Sequence, residues 1–231
     1  MSLKAVLFDF NGVIVNDEAI HQQLLEQILL EENIQPEPGQ FKKFCLGRSD
    51  RACLADLFAS QNQPLTETSL TALIDRKAKA YQQHLEEIDP LPIYSGVEDL
   101  IFQLRAAHLL MAVVSGSLRA EVERVLERAK LRQHFSVIVA GDEIAASKPE
   151  PDGYLLAVQR LNQVKPLLNL TSSDCLAIED SFPGIEAAKR AGIPVVGVAN
   201  TYPFHMLQRQ ANWTIDYLTD LELDRVRQFF E

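Results

Sequence analysis

From residue 90 onward the sequence alternates short apolar runs with helical patterns, and few folds accept that alternation. The runs are LLMAVVS (109–115), SVIVA (136–140), DCLAIED (174–180) and IPVVGVA (193–199). Segments 97–107, 118–130, 152–163 and 183–191, and a last one near 204–210, space their apolar residues as helices do. Strands with almost no polar position must be covered on both faces, and strands separated by helices run parallel. One more such run, KAVLFD (4–9), stands far upstream. Between it and residue 90 only helical patterns occur. Ile20, Leu24, Leu25, Ile28 and Leu29 mark the first, with Asn16 as its expected cap and Asp17 and Glu18 in its first turn; others follow near 40–46, 50–61 and 66–87. The expected fold is therefore α/β: a Rossmann-like parallel sheet core with helices on both faces, built from residues 1–15 and 90–231. An all-helical insertion, 17–87, interrupts it, and the Pro-rich return at 89–96 suits a hinge or linker.

Charge narrows the partners. The net charge is −10, which disfavours nucleic acid and anionic membrane, since both require a positive field. A phosphate ester stays compatible, because a bound cation reverses the local sign. No apolar run approaches the 18 or so residues of a membrane span. The first run is short and Asp9 interrupts it, so no secretory leader is expected. The three cysteines, Cys45, Cys53 and Cys175, are odd in number and lack paired spacing. That predicts reduced thiols and a cytoplasmic protein.

In open parallel sheets ligands bind beyond the carboxyl ends of the strands. Here those ends are Asp9, Ser115, Gly141/Asp142 and Glu179/Asp180. Three of the four are acidic and one is a hydroxyl. Each has an ordinary explanation alone: a strand-end Asp caps a turn, a Ser-Gly pair begins a helix, and Lys148 is a solvated charge in SKPEP. Asn11-Gly12, directly after the first strand, is also a strong hairpin signal.

Together the segments say more. FDFNGV (8–13), VVSGS (113–117), SKPEP (147–151) and IEDSFPGIEAAKRAG (178–192) occur in the order and spacing of the haloacid dehalogenase superfamily. The helical insertion resembles the cap of its beta-phosphoglucomutase and phosphoglycolate-phosphatase branch. The resemblance covers essentially the whole chain. It implies that Asp9 is a nucleophile forming an aspartyl-phosphate, which splits one hard displacement into two easier ones. It implies Mg²⁺ held by Asp9, the backbone carbonyl of Asn11 and Asp180, with Glu179 on a metal-bound water. Lys148 would pair with the nucleophile and the phosphoryl group, and Ser115 would hydrogen-bond a phosphoryl oxygen. The N–H groups of Gly116 and Ser117 would add an anion site where helix 118–130 begins. The expected partner is a small phosphorylated metabolite, with a monomer as the default state.

Asn11 departs from the pattern. Phosphatases and mutases of this family carry Asp two residues after the nucleophile, as the acid that protonates the leaving oxygen and the base that activates the next attacker. Asn donates a hydrogen bond but cannot transfer that proton and recover it. The loss corresponds to about 10²–10⁴-fold in rate. An engineered substitution, a substitute base and deamidation at Asn-Gly are open explanations. Asp17 and His21, four apart on one helix face, are the candidates for a substitute base; for His21 a surface or hinge position is the alternative.

Specificity is expected from the insertion. LGRSDR (46–51) lies where the resemblance places a substrate loop; Arg48 and Arg51 are there either to meet a second anion on the substrate or as ordinary solvated arginines. Ser117 and Arg119 are further substrate candidates; Lys77 has too weak a register to be assigned. A metal-free dehalogenase is disfavoured by Glu179 and Asp180, and a phosphonatase because neither a clear Schiff-base lysine in the insertion nor a small residue at position 11 is found. A Mg-dependent phosphatase of a small phosphorylated metabolite ranks first. A phosphosugar mutase, and a nearly inactive phosphate-binding or regulatory protein, are the alternatives.

Overall fold

The computed structural model describes residues 2–230. Six parallel strands form one sheet: β1 (Ala5–Phe8), β2 (Leu110–Val114), β3 (Val137–Val139), β4 (Cys175–Glu179), β5 (Val195–Val198) and β6 (Trp213–Ile215), in the order β3-β2-β1-β4-β5-β6. β1 lies inside the sheet, its Ala5 level with Leu110 of β2 and Cys175 of β4. Asp9 therefore leaves the sheet beside the ends of both neighbours.

Alternation along the strands sends successive side chains to opposite faces. Val6, Phe8, Met111, Val113, Leu176 and Ile178 pack on one side with α5 (Val97–Ala106), α6 (Arg119–Arg128) and α10 (Leu223–Gln228). Leu7, Ala112, Val114, Cys175 and Ala177 pack on the other with α7 (Asp152–Val164), α8 (Phe182–Arg190) and α9 (Phe204–Leu207). The expected two-sided burial is present on both faces. The sequence reading omitted β6 and α10: a three-residue strand and a six-residue helix are too short to show a period.

The insertion holds four helices, α1 (Glu18–Glu31), α2 (Gln40–Phe44), α3 (Asp50–Ser60) and α4 (Glu67–Glu87). Leu25, Leu29, Leu54, Leu57, Phe58, Leu70 and Leu73 enclose an apolar cluster of their own. Tyr81 and Leu85, in the last turns of α4, leave that cluster and pack with the main core. Ser49 and Thr66 cap α3 and α4, accepting from Ala52 N–H and Ser69 N–H. The expected cap of α1 is displaced: the helix starts after Asp17, whose side chain makes no cap bond, while Asn16 N–H donates to Pro92 O.

The cysteine expectation is overturned. Cys45 and Cys53 are joined by a disulfide, while Cys175 is free and buried. The turn between α2 and α3 brings residues eight apart in sequence to a Cα separation of 4.4 Å, a closeness that spacing alone does not reveal. The cysteine count thus no longer supports a cytoplasmic location. No helix among the described residues is long and apolar enough to cross a membrane. Burial and the nearby Asp174 push the Cys175 thiol up to about 12. The expected thiol titration is none in the native protein, one after denaturation and three after denaturation with reduction. Three thiols without reductant would remove the disulfide.

Candidate active site

β1 ends at Phe8, and Asp9 follows with its N–H still bonded to Ile178 O of β4 at 2.9 Å. Its carboxylate is buried. Oδ1 accepts from Phe10 N–H at 2.8 Å and lies 2.7 Å from Lys148 Nζ. The chain then reverses tightly: Ile14 N–H returns to Phe10 O, and Gly12 N–H donates to Val15 O, both at 2.8 Å. Gly12 has φ of 78°, and a Cβ there would collide with Asp180 and Glu18, so the position requires glycine. Asn11 does not share the positive φ. A type I′ hairpin needs it at both central residues, so Asn11-Gly12 forms a flap rather than that hairpin.

Glu179 and Asp180 end β4 beside Asp9. Oxygens of the three carboxylates lie within 4.8 Å of one another, and all three residues are buried. Lys148 is the cation among them, 2.7 Å from both Asp9 and Glu179. Burial disfavours the lysine's charge, but Asp9 and Glu179 outweigh it and raise its pKa. One lysine against three carboxylates leaves excess negative charge. Burial first, and the neighbouring carboxylates next, push Asp9 and Asp180 well above the usual carboxylate range. A clustered oxygen set with uncompensated charge fits a hard divalent cation.

Glu179 is the most enclosed of the three. Its Oε1 accepts from Lys148 and from Tyr154 Oη at 2.6 Å, and its Oε2 from Ser181 Oγ at 3.3 Å. Asp180 accepts from Thr201 Oγ1, and Asn200 Nδ2 donates to Gly12 O at 2.7 Å. Tyr154, Asn200 and Thr201 escaped the sequence reading. Asn200 and Thr201 follow β5, another strand end, so the same rule would have found them had polar neutral residues been counted.

Asn11 is held on both ends of its amide. Nδ2 donates to Asp17 Oδ1 at 2.9 Å and lies 3.2 Å from His21 Nε2, while Oδ1 accepts from Ser117 Oγ at 2.7 Å. Asp17 is fully buried and also accepts from Tyr81 Oη. Burial opposes its charge, yet His21 and the bonds from His21, Asn11 and Tyr81 hold its carboxyl below the ordinary value. His21 Nε2 lies 3.3 Å from Asp17 Oδ2 and its ring stacks on Tyr81 at 4.5 Å. The pairing of Asp17 with His21 was legible from their spacing; Tyr81, 64 residues away, was not.

Ser115 is buried at the end of β2, where its Oγ accepts from Ser117 N–H at 3.0 Å. That bond occupies the Ser117 N–H, one of the two donors expected for an anion site. The loop between α2 and α3 lies across the site. Ser49 N–H donates to Ser147 Oγ at 2.7 Å, while a Cβ on Gly116 would stand 2.7 Å from Arg48 O. The cleft enclosed there is lined by Asp9, Asn11, Glu18, His21, Gly116, Ser117 and Asp180, with Leu25, Phe41, Leu46, Gly47, Arg48, Asp50 and the disulfide opposite. Burial, then Asp17 and Asp9, push Glu18 up to about 7.

Two of the expected substrate residues, Arg119 and Arg51, do not line the cleft. Arg119 points into a network with Glu123 at 3.0 Å, Glu143 at 2.5 Å and Ile138 O. Arg51 is exposed and pairs with Glu67 at 2.5 Å. Each found carboxylates nearer than the cleft. Arg48 does line the cleft, but its Nη1 bonds Asp56 at 2.7 Å and Phe44 O at 2.9 Å. Lys77, left unassigned from sequence, is fully buried and 2.7 Å from Asp50.

The model of a haloacid dehalogenase-like hydrolase family matches residues 6–198. A beta-phosphoglucomutase of Bacillus subtilis is 29% identical over 231 residues, covering 99% of this chain and 96% of its own. A fructose-1-phosphate phosphatase of Escherichia coli is 29% identical over 194 residues, covering 84% and 95%. In fold, the chain superposes on a beta-phosphoglucomutase from Clostridium difficile with a TM-score of 0.86 at 21% identity, over 99% of this chain and 97% of that one.

Proposed function

The chain belongs to the haloacid dehalogenase-like hydrolases, and from that premise we propose that it is a Mg²⁺-dependent phosphatase of a small phosphorylated metabolite, with Asp9 as nucleophile and with chemistry slowed at Asn11. The observation that carries this reading is the buried cluster of Asp9, Glu179 and Asp180 with a single lysine among them. The relatives' names, a phosphosugar mutase and a sugar-phosphate phosphatase, support phosphate transfer on a small molecule.

Asp9 Oδ1 is occupied by Phe10 N–H and Lys148, which leaves Oδ2 to attack phosphorus. The P–O bond to the leaving group breaks as the Asp9–phosphorus bond forms, and water later cleaves the aspartyl-phosphate to release phosphate. Lys148 holds the nucleophile in place and offers positive charge to the phosphoryl oxygens. Ser115 Oγ accepts one hydrogen bond here and keeps its own O–H to donate to a phosphoryl oxygen. Asp9, Asp180 and the Asn11 carbonyl would hold the magnesium ion, which supplies charge neutralisation for the phosphoryl group. Glu179, with both oxygens hydrogen-bonded, suits an outer position. Residues 17–87 act in this reading as a cap. The enclosed cavity is only about 50 Å³, far below the roughly 300 Å³ of small-molecule pockets, so the insertion and core part to admit substrate.

The expected result of exhaustive EDTA treatment is loss of phosphate release, with recovery on adding Mg²⁺. Undiminished turnover after verified metal removal would sink the proposal. A second reading, a phosphate-ester binding protein with little turnover, is favoured by the amide of Asn11, which is tied to Asp17 and Ser117. Ligand-induced melting shifts without phosphate release across a metabolite panel would select it. A mutase fits less well, because it needs a cycling proton carrier.

A further inference from the structure

The loop between α2 and α3 meets the core at several points. Ser49 N–H donates to Ser147 Oγ, the neighbour of Lys148, and Arg48 O stands against Gly116. Gly47 packs so closely on Ser181 that a Cβ there would collide with the serine side chain. Ahead of the loop, Lys42 of α2 lies 4.3 Å from the ring centre of Tyr202, which packs on Phe182. All of these contacts depend on how α2 sits against α3. With five residues, α2 is too short to hold a helix by itself. The disulfide supplies the hold, because Cys45 directly follows α2 and Cys53 lies in the first turn of α3. Across the same turn Arg48 bonds Phe44 O and Asp56. The Asp56 carboxylate is half-exposed, and ion pairs of that kind contribute little.

The bridge is also placed where it can be opened. Cys45 and Cys53 are buried, at 6% and 1% exposure, and both line the cleft. The other hollow touching Cys45 measures about 10 Å³, room for no more than a water. A reductant therefore reaches the sulfurs from the cleft, once insertion and core have parted. We infer that Cys45–Cys53 is a thiol–disulfide exchange site, through which a dithiol reductant loosens the loop over the cleft and lowers turnover. A thiolate of the reductant attacks one sulfur, the S–S bond breaks, and a mixed disulfide forms. The reductant's second thiol then displaces the protein sulfur. Two electrons and two protons end on Cys45 and Cys53, and the reductant leaves as its own disulfide. Without the bridge α2 is free to move from α3, and the loop's contacts with Ser147, Gly116 and Ser181 weaken together. Cys175, within the sheet, takes no part.

The exchange site stands for any ligand of this cleft; only the effect on turnover rests on the phosphatase reading. Millimolar dithiothreitol without denaturant is expected to open the bridge, with Cys45 and Cys53 then alkylated and Cys175 not, as read by peptide mass spectrometry. Deuterium uptake in residues 46–52 is expected to speed up about tenfold or more, the mark of a local opening, while β1 and β4 stay protected. For the Mg²⁺-loaded protein, kcat/KM on nitrophenyl phosphate is expected to fall about tenfold, less than the full constraint a disulfide imposes. Oxidised glutathione should restore it. Cys45→Ser and Cys53→Ser are expected to behave as the reduced protein and ignore the reductant, whereas Cys175→Ala responds as the unsubstituted chain does. A bridge that resists reduction without denaturant, an unchanged uptake, or a measurable kcat/KM that does not move would each overturn the inference. So would loss of the response in Cys175→Ala. Absence of turnover in both redox forms, with uptake still rising on reduction, would overturn the phosphatase reading and leave the exchange site standing.

Discussion

Asn11→Asp is expected to raise turnover on esters with poor leaving groups, such as sugar phosphates, by about 10²–10⁴-fold, the usual contribution of a positioned acid–base group. That range corresponds to roughly 3–5 kcal/mol of barrier. The structure supplies a reason for the new carboxyl to work as an acid. Asn11 Nδ2 sits 2.9 Å from Asp17 Oδ1, so the substitution puts two carboxyls in hydrogen-bond contact. They cannot both ionise easily, and one pKa rises. Asp17 already receives bonds from Tyr81 and His21 and is held below its ordinary value, so the proton resides on the introduced group. The activity gained is therefore lost as pH rises through that elevated pKa for the step that needs an acid. Nitrophenyl phosphate, which needs little protonation, should gain least in phosphoenzyme formation, though hydrolysis of the intermediate can still improve. Peptide mass spectrometry of the starting protein is the necessary control, since deamidated chains would mimic the variant. Unchanged turnover on sugar phosphates, in a folded variant that still binds them, would mean that Asn11 is not what limits the chemistry.

Asp9→Asn is expected to lower phosphate release by roughly 10⁴–10⁶-fold, the scale on which losing a covalent nucleophile acts. The fold should survive. Lys148 keeps Glu179 as a partner at 2.7 Å, and an amide oxygen can still accept from Phe10 N–H. Rapid quench of the unsubstituted enzyme should trap a phosphoenzyme that hydroxylamine cleaves, as an acyl phosphate does, and Asp9→Asn should trap none. Retained turnover, or an acyl phosphate on another residue, would defeat the assignment. The two variants also separate the proposed roles: a change at position 11 is expected to alter how fast the bond breaks, and a change at position 9 whether the intermediate forms at all.

The expected site residues that the structure gathers at the sheet edge share one property: they end strands. Asp9, Ser115, Glu179 and Asp180 were legible because a parallel sheet gathers its carboxyl ends on one edge, and the structure brings Lys148 to the same place. Arg51 and Arg119 turn away from the cleft because a guanidinium on a flexible stem follows the nearest carboxylate; Glu123 is local to Arg119, but Glu67 and Glu143 lie 16 and 24 residues away in sequence. The position of Lys77 was not legible for the same reason: its partner Asp50 and its complete burial depend on how α3 meets α4. The hydrogen bonds of Asn11 to Asp17 and Ser117 show both cases at once. The first spans six residues and the second 106.

The sequence by itself determined the layers of the fold and the kinds of atoms at the sheet edge. Apolar periodicity and strand-end identity are local properties, and burial enforces them wherever the chain goes. Only the tertiary structure decided which charges were left over. It tied Cys45 to Cys53, balanced Arg48 with Asp56, and left three carboxylates around one lysine. Electrostatic compensation is settled by separations of a few ångströms between residues far apart in the chain, and no one-dimensional pattern carries those distances.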